Sequence, residues 1–405
     1  MQTISISEKE KIEFVSVTAG EHIIGEFTGD KKGRSLVVIG SLHGNEPSAL
    51  IAMRRIVPRL AKLKDKIRGR IYFLAGNTRA LSKNERYIDT DLNRHWTFEN
   101  IERNASGSTV SANCSEDVEQ RELLKIFDGI FSTAQDEVFA LDLHSTSAES
   151  KPFGIFGDTL RNRDFALKIP ATLLLGIEEI LDGTILEYIN NLGAVTFGFE
   201  AGQHSDKTAV ENQEALIWLA LANAGILQKT DFDYEHYFRK LKANAGGRRI
   251  IEIRHRQQIE ETDKFKMQPG YKNFQVIEKG EFLAEDRNGR ILAGETGLIL
   301  MPLYQKQGSD GFFTGREFSA RRLRLSKLLR KLKLAEFVRF LPGIKRHPSE
   351  AETLTVNTRI ARFFPLQILH LLGFRKKRWK NDKLIVSRRK FDTKSPFVRE
   401  EEVVE

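Results

Sequence analysis

RSLVVIGSLHGNEPSALIAMRRIVPRLAKL, Arg34–Leu63, decides how the rest of the chain reads. Arg34–Gly40 has the continuous apolar character of a buried strand, and Ser41–Pro47 is a polar turn containing Gly44. Pro47–Leu63 then reads as a helix, with proline near the first turn, where a missing N–H costs least. Strand, short polar turn and helix form the repeating unit of an α/β fold with a largely parallel sheet. The alternation continues outward. Arg70–Ala75 (RIYFLA) is the next strand, Ser115 is positioned to cap a helix Glu116–Phe127, Glu137–Leu143 (EVFALDL) and Ala194–Phe199 are further strands, and Asn212–Leu227 is an amphipathic helix.

After residue 228 the texture changes. Arg249–Arg254 and Asn273–Leu303 alternate in hydrophobicity between glycine turns and lack long helical patterns, which reads as a small β-rich domain over 229–315. Beyond Arg316, RRLRLSKLLRKLKLAEFVRFLPG (321–343) repeats leucine at helical spacing with basic residues between, so 316–405 reads as a basic helical C-terminal appendage. Residues 316–394 carry 23 Lys or Arg against 6 Asp or Glu within a chain of net charge +9, which leaves residues 1–315 mildly acidic.

With 405 residues, 40% hydrophobic and 29% charged, the composition excludes collagen-like and disordered classes. The single cysteine, Cys114, rules out an intramolecular disulfide framework and favours a reducing compartment, with the cytosol as the default. Met1–Lys11 has neither a basic start nor an apolar core, so no signal peptide is expected, and no run reaches the length of a membrane span.

Four features lie in loops just after strands, where α/β sheets usually carry their sites. In His43-Gly44-Asn45-Glu46, an imidazole and a carboxylate three apart on a turn entering a helix suit one metal ion, although read alone the pattern is also a surface pair. Asp142-Leu143-His144-Ser145-Thr146 ends a buried strand. His43, Glu46 and His144 would make a two-His, one-Glu zinc set with one position left for water, and Asp142 is either a residue that orients a ligand or a strand-end turn residue. Arg86-Tyr87-Ile88-Asp89-Thr90-Asp91-Leu92-Asn93-Arg94 offers two guanidinium groups and an amide for an anionic substrate, or else a charged loop in which Asp89 and Asp91 pair with the arginines. In Phe199-Glu200-Ala201-Gly202-Gln203, an acid ending an apolar strand suits a general base whose pKa is raised by low dielectric, or is an ordinary strand-end glutamate.

Together and in this order, HGNE, RYIDTDLNR, DLHST and FEAGQ resemble the succinylglutamate desuccinylase and aspartoacylase family within the zinc carboxypeptidase-like hydrolases. The resemblance spans roughly residues 35–205, and more loosely the chain to about 310. It implies a zinc carboxypeptidase-like three-layer sandwich and one Zn2+ per chain held by His43, Glu46 and His144. It further implies Glu200 as general base, Arg86 polarising the scissile carbonyl, and Asn93 with Arg94 holding the carboxylate of a small anionic substrate. The implied reaction is hydrolysis of an N-acyl amino acid or similar small amide. The alternatives are a zinc carboxypeptidase acting on peptides and an inactive binding or membrane-adaptor protein on the same fold.

Two departures bear on the substrate. Aspartoacylases carry an arginine and a tyrosine ten to fourteen residues before the catalytic glutamate, whereas Leu186–Asn191 here contains Tyr188 and no arginine. The family's late active-site tyrosine falls near Phe312-Phe313, without a hydroxyl. The acyl group is therefore expected to be less anionic than succinyl, or larger.

The resemblance does not reach the basic appendage. Its leucines suit packing on the body or on another subunit. An anionic membrane surface is the second reading, with Leu323, Leu328, Leu332 and Phe337 inserted and Arg322, Lys327, Arg330, Lys331 and Lys333 near headgroups. Nucleic acid is the weakest, resting on Trp379 among basic residues without a recognised motif.

Overall fold

The computed structural model describes residues 16–105, 114–204, 206–350, 352–357, 366–380 and 383–398, with the side chains of residues 178, 366, 367 and 376–380 excepted. Met1–Lys11 and the Trp379 side chain therefore lie outside the described residues. The body carries strands β1 (Ile23–Thr28), β2 (Lys31–Gly40), β3 (Arg68–Ala75), β4 (Val138–Thr146), β5 (Phe153–Phe156), β6 (Thr172–Leu175), β7 (Val195–Gln203) and β8 (Ile250–Gln258). There follow β9 (Lys266–Met267), β10 (Val276–Ile277), β11 (Phe282–Asp286), β12 (Gly289–Leu292), β13 (Gly297–Leu300) and β14 (Asp310–Glu317).

Eleven strands form one mixed sheet in the order β1-β3-β2-β4-β7-β5-β6-β8-β14-β13-β10. Its middle is parallel, with β2 between β3 and β4 and β7 beside β4. The stretch expected to form a small β-rich domain is partly continuous with this sheet, because β8 pairs with β6 and β14, β13 and β10 extend the same edge. Only β9, β11 and β12 form a separate three-stranded sheet.

Alternate residues of the central strands feed two cores. Leu36 and Val38 of β2 face the helices Ser48–Ala61, Lys207–Asn223 and Tyr234–Ala245, whereas Val37 and Ile39 face the helices Ser115–Ser132 and Ile185–Asn191. This is a helix–sheet–helix sandwich. The helix expected to be amphipathic is buried nearly all round, since Tyr234–Ala245 covers its outer side and stacks Tyr237 on Trp218. The helix expected to be capped by Ser115 begins with Cys114 at its N-cap, and the Ser115 N–H instead donates to Asp89 Oδ2 at 2.7 Å.

In the C-terminal region helices form at Ala320–Lys331 and Leu366–Leu371, but the region also holds strands that the helical expectation did not include. Strands β15 (Ile344–Arg346), β16 (Thr353–Asn357), β17 (Lys376–Lys380) and β18 (Lys383–Ser387) make an antiparallel sheet with its own small core of Val356, Leu354, Leu372 and Val386. The reason is local: TLTVN and KLIVS alternate with β-branched residues, a period of two that the leucine repeat of 321–343 had masked. Leu323 is buried against the body and so is not available to a membrane surface, whereas Leu328, Leu332 and Phe337 are exposed. Among the described residues no helix is long and apolar enough to cross a membrane.

Candidate active site

The site lies at the C-terminal ends of three adjacent strands. His43 and Glu46 occupy the turn after β2, His144 is in β4, and Glu200 is directly across from it in β7. The turn is shaped by its glycine: a Cβ on Gly44 would sit 2.2 Å from the Ala80 carbonyl carbon, so only glycine lets HGNE lie against the helix Thr78–Lys83.

His43 Nδ1 is 2.8 Å from Glu46 Oε1, and His144 Nδ1 is 3.1 Å from Glu46 Oε2. The far nitrogens face carboxylates, His43 Nε2 to Asp91 Oδ1 at 3.2 Å and His144 Nε2 to Asp142 Oδ2 at 2.8 Å. With the ring protons directed outward, two imidazole lone pairs and a carboxylate converge, their ligand atoms all within 4.8 Å of one another. Such a donor set calls for a positive charge at its centre, and outward carboxylates are the usual support of metal-binding histidines. The residues fit a tetrahedral dication of zinc's kind, whose ligand atoms would stand ~3.3 Å apart at the usual bond lengths.

The electrostatics agree. Burial alone would raise the Glu46 carboxyl and lower the His144 imidazole. His43 and His144 nevertheless hold Glu46 well below the usual range, and Asp142 and Glu46 hold His144 well above it. A cation bound there takes over the charge that a proton on His144 supplies. Another grouping, His22, Glu119 and Glu122, already has Arg79 donating to both glutamates, at 2.7 and 2.9 Å.

Glu200 borders the same pocket with Oε2 buried and unpartnered, and burial pushes its carboxyl up to about 8. Arg86 donates to Glu46 Oε1 at 3.2 Å and to Asp91 Oδ2 at 3.3 Å, so its guanidinium stands beside the histidines. Asp91 thus pairs with Arg86 and His43, whereas Asp89 caps the neighbouring helix.

Asn93 is 8% exposed and held: its Nδ2 faces Asp142 and His144, and its Oδ1 accepts from the Ile185 N–H. Arg94 donates to Asp310 at 2.6 Å, and Arg256 takes the other oxygen of that carboxylate. Two guanidiniums share that one carboxylate, so Asp310 by itself does not neutralise both of them.

Sequence reasoning missed Glu116, read only as a helix residue. Fully buried, it accepts the backbone N–H groups of Ile88, Asp89 and Thr90 and so fixes the loop that carries Arg86 to Arg94. The one available signal was an acidic pair, Glu116-Asp117, in a first helical turn, which ordinary dipole compensation explains equally well. His204 and Gln305 were also missed. Both line the pocket, linked to each other at 3.2 Å and to Ser145 and Asn45 respectively. Tyr188 stacks on Trp96 rather than lining the pocket, and Phe313 borders the pocket where a hydroxyl was lacking.

Residues 32–218 match the succinylglutamate desuccinylase/aspartoacylase catalytic domain. Succinylglutamate desuccinylase of Pseudomonas fluorescens (strain Pf0-1) is 25% identical over 67% of this chain and 79% of its own length. The Pseudomonas aeruginosa (strain LESB58) enzyme of the same name is 25% identical over 67% and 80%. Among solved structures, a succinylglutamate desuccinylase/aspartoacylase from Rhodobacter sphaeroides shares the fold with a TM-score of 0.51 at 16% identity, covering 71% of this chain and 87% of that one. A succinylglutamate desuccinylase from Vibrio parahaemolyticus gives 0.51 at 14% identity, covering 78% and 97%. HGNE, RYIDTDLNR, DLHST and FEAGQ all fall inside the matched segment, so residues 32–218 match the succinylglutamate desuccinylase/aspartoacylase catalytic domain with all four motifs in place.

Proposed function

We propose that the protein is a zinc-dependent deacylase that hydrolyses the amide of an N-acyl amino acid. The observation that carries this is the convergence of His43, Glu46 and His144 beside a buried, unpartnered Glu200. Zinc bound by that triad supplies a Lewis acid for the scissile carbonyl and lowers the pKa of water toward ~7. Glu200 takes the proton of the attacking water and passes it to the leaving nitrogen. Arg86, beside the triad, offers its guanidinium to the oxygen that becomes negative in the tetrahedral transition state. Asn93 and Arg94 orient the amino acid's carboxylate in the field left by Arg94, Arg256 and Asp310. Asp91 and Asp142 hold the two histidines in the tautomer that binds metal.

Elemental analysis of purified protein is expected to give about one zinc per chain, and His144→Ala to lose it, because two remaining ligands do not make a stable site. Wild type that stays metal-free on zinc addition would overturn the proposal. Against a panel of N-acetyl, N-succinyl and N-octanoyl amino acids beside dipeptides, the acyl compounds are expected to be the substrates. Preference for dipeptides would make the protein a zinc carboxypeptidase instead, and a zinc-free protein inert to both would make it an adaptor.

A further inference from the structure

The C-terminal region reaches into the pocket. After β18, residues 388–398 run back across the body, tied down at several points. The Arg388 N–H donates to the Glu352 carbonyl. The Asp392 carboxylate accepts from the Leu160 N–H at 2.8 Å and from Arg330 Nη1 at 3.1 Å, and its carbonyl accepts from the Arg161 N–H. Phe397 packs its ring on Phe131. Between these anchors Arg389 turns inward and lines the same pocket as His43, Glu46 and Glu200. Its guanidinium lies on Gly157 so closely that a Cβ there would stand 3.0 Å from Nε and 3.3 Å from Nη2. Among the described residues Arg389 has no carboxylate or hydrogen-bond partner.

A guanidinium on a pocket wall with its donors unused is a receptor for an anion. Its distance from the chemistry follows from the sheet. Phe153 is directly opposite Glu200 in the β5–β7 register, and Gly157 lies four residues further along, ~13 Å at the usual rise per residue. With the reacting carbon taken level with Glu200 along the strand, and about 4 Å allowed for an ion pair, roughly 9 Å is left between that carbon and the anion. The pocket between them is bordered by Ile155, Leu186 and Gly198, and the missing side chain at Gly198 keeps it open, since a Cβ there would stand 3.1 Å from Leu186. Glu187 also borders the pocket.

We propose that Arg389 is a specificity residue contributed by the C-terminal region, which fits the pocket to an acyl chain that is apolar near the scissile bond and ends in a carboxylate about 9 Å away. This rests on the deacylase reading. A succinyl group is too short to span the gap, whereas an eight-carbon dicarboxylic acyl group spans it. The region outside the family's catalytic domain thereby supplies the cation missing from Leu186–Asn191.

The test compares N-suberoyl with N-octanoyl derivatives of one amino acid, which differ only in the terminal carboxylate. Wild type is expected to favour the suberoyl compound at least tenfold in kcat/KM. Arg389→Ala should bring the ratio near one, Arg389→Lys should keep part of it, and Arg389→Glu should invert it. No preference in wild type, or an unchanged ratio in Arg389→Ala, overturns the proposal. If wild type cleaves neither compound, the deacylase reading fails, and calorimetric titration of suberate against octanoate still decides the role of Arg389. Tighter suberate binding that Arg389→Ala abolishes upholds it; equal affinities overturn it.

Discussion

Glu200→Gln is expected to bind one zinc per chain like the wild type and to hydrolyse N-acyl amino acids about 10²–10⁴-fold more slowly, the usual range for losing a general base. The separation of effects follows from position. Glu200 is across the β4–β7 ladder from His144 and contributes no atom to the converging triad, so its loss leaves the metal donors in place. The same burial that raises its carboxyl to about 8 gives a proton acceptor strong enough for water near neutrality. The sign of the pH dependence is fixed by the role. A base must be ionised, so the wild-type rate should rise with pH through the Glu200 pKa, with a bound dication pulling that midpoint below 8. Glu200→Gln should lack this limb.

A second sign can be checked without substrate in zinc-depleted protein. The folded carboxyl titrates near 8 and the unfolded one near 4.5, so the folded state holds an extra proton between those values. Stability from this group is complete below about 4.5 and declines as pH rises toward 8. Zinc-depleted Glu200→Gln should therefore melt above zinc-depleted wild type at pH 8, with the gap closing toward pH 5. Equal zinc content with undiminished turnover would remove Glu200 from the mechanism.

What the sequence made legible follows from the range of the interactions involved. The strand–turn–helix of Arg34–Leu63 is local, and a polar turn between two apolar periodicities has few other readings, so the structure departs from it only at element ends. The triad was readable because His43 and Glu46 are near neighbours in sequence and His144 ends a recognisable buried strand. Glu116 was not, since its work is to bind backbone N–H groups of a loop more than 25 residues away, and no local pattern encodes that pairing. The joining of β8 to β6 is equally non-local: Arg249–Arg254 reads as part of a β-rich stretch, sequence reasoning missed Thr172–Leu175 as a strand, and nothing in either specifies the other as partner. Arg389 was hidden twice. It lay in a charge run whose simplest reading is a solvated face, and it reaches the pocket only because a four-stranded sheet forms where leucine spacing argued for helices.

Asp158→Asn is expected to destabilise the protein by about 3–5 kcal/mol, the cost of leaving buried charge uncompensated. Asp158 Oδ1 accepts from Arg163 Nε at 2.5 Å, and its Oδ2 accepts from Arg330 Nη2 at 2.9 Å and Arg375 Nε at 2.5 Å. All four side chains are at most 4% exposed. Arg163 belongs to the body, Arg330 to the helix Ala320–Lys331, and Arg375 precedes β17, so one carboxylate joins three segments. Arg375 also pairs with Glu179 and Glu252 and Arg330 with Asp392, so the charge that the substitution leaves uncompensated is chiefly that of Arg163, which is paired with Asp158. The arginines hold the Asp158 carboxyl well below its usual range, although burial alone would raise it. Its contribution is therefore present at all pH values above the ordinary aspartate pKa and is lost only in strong acid. The melting temperature at pH 7 should fall by about 4–6 °C, and limited proteolysis should cut within 316–398 before the body is attacked. If both stay at wild-type values, the network is not what holds the C-terminal region. The same variant probes the pocket. Asp158 follows Gly157, on which Arg389 rests, and Asp392 ties the segment carrying Arg389 to Arg330. Loosening that anchor should weaken the suberoyl preference at temperatures where the body is still folded, while Asp392→Asn, which removes one partner of Arg330 and spares the three-arginine cluster, should weaken the preference with a smaller loss of stability.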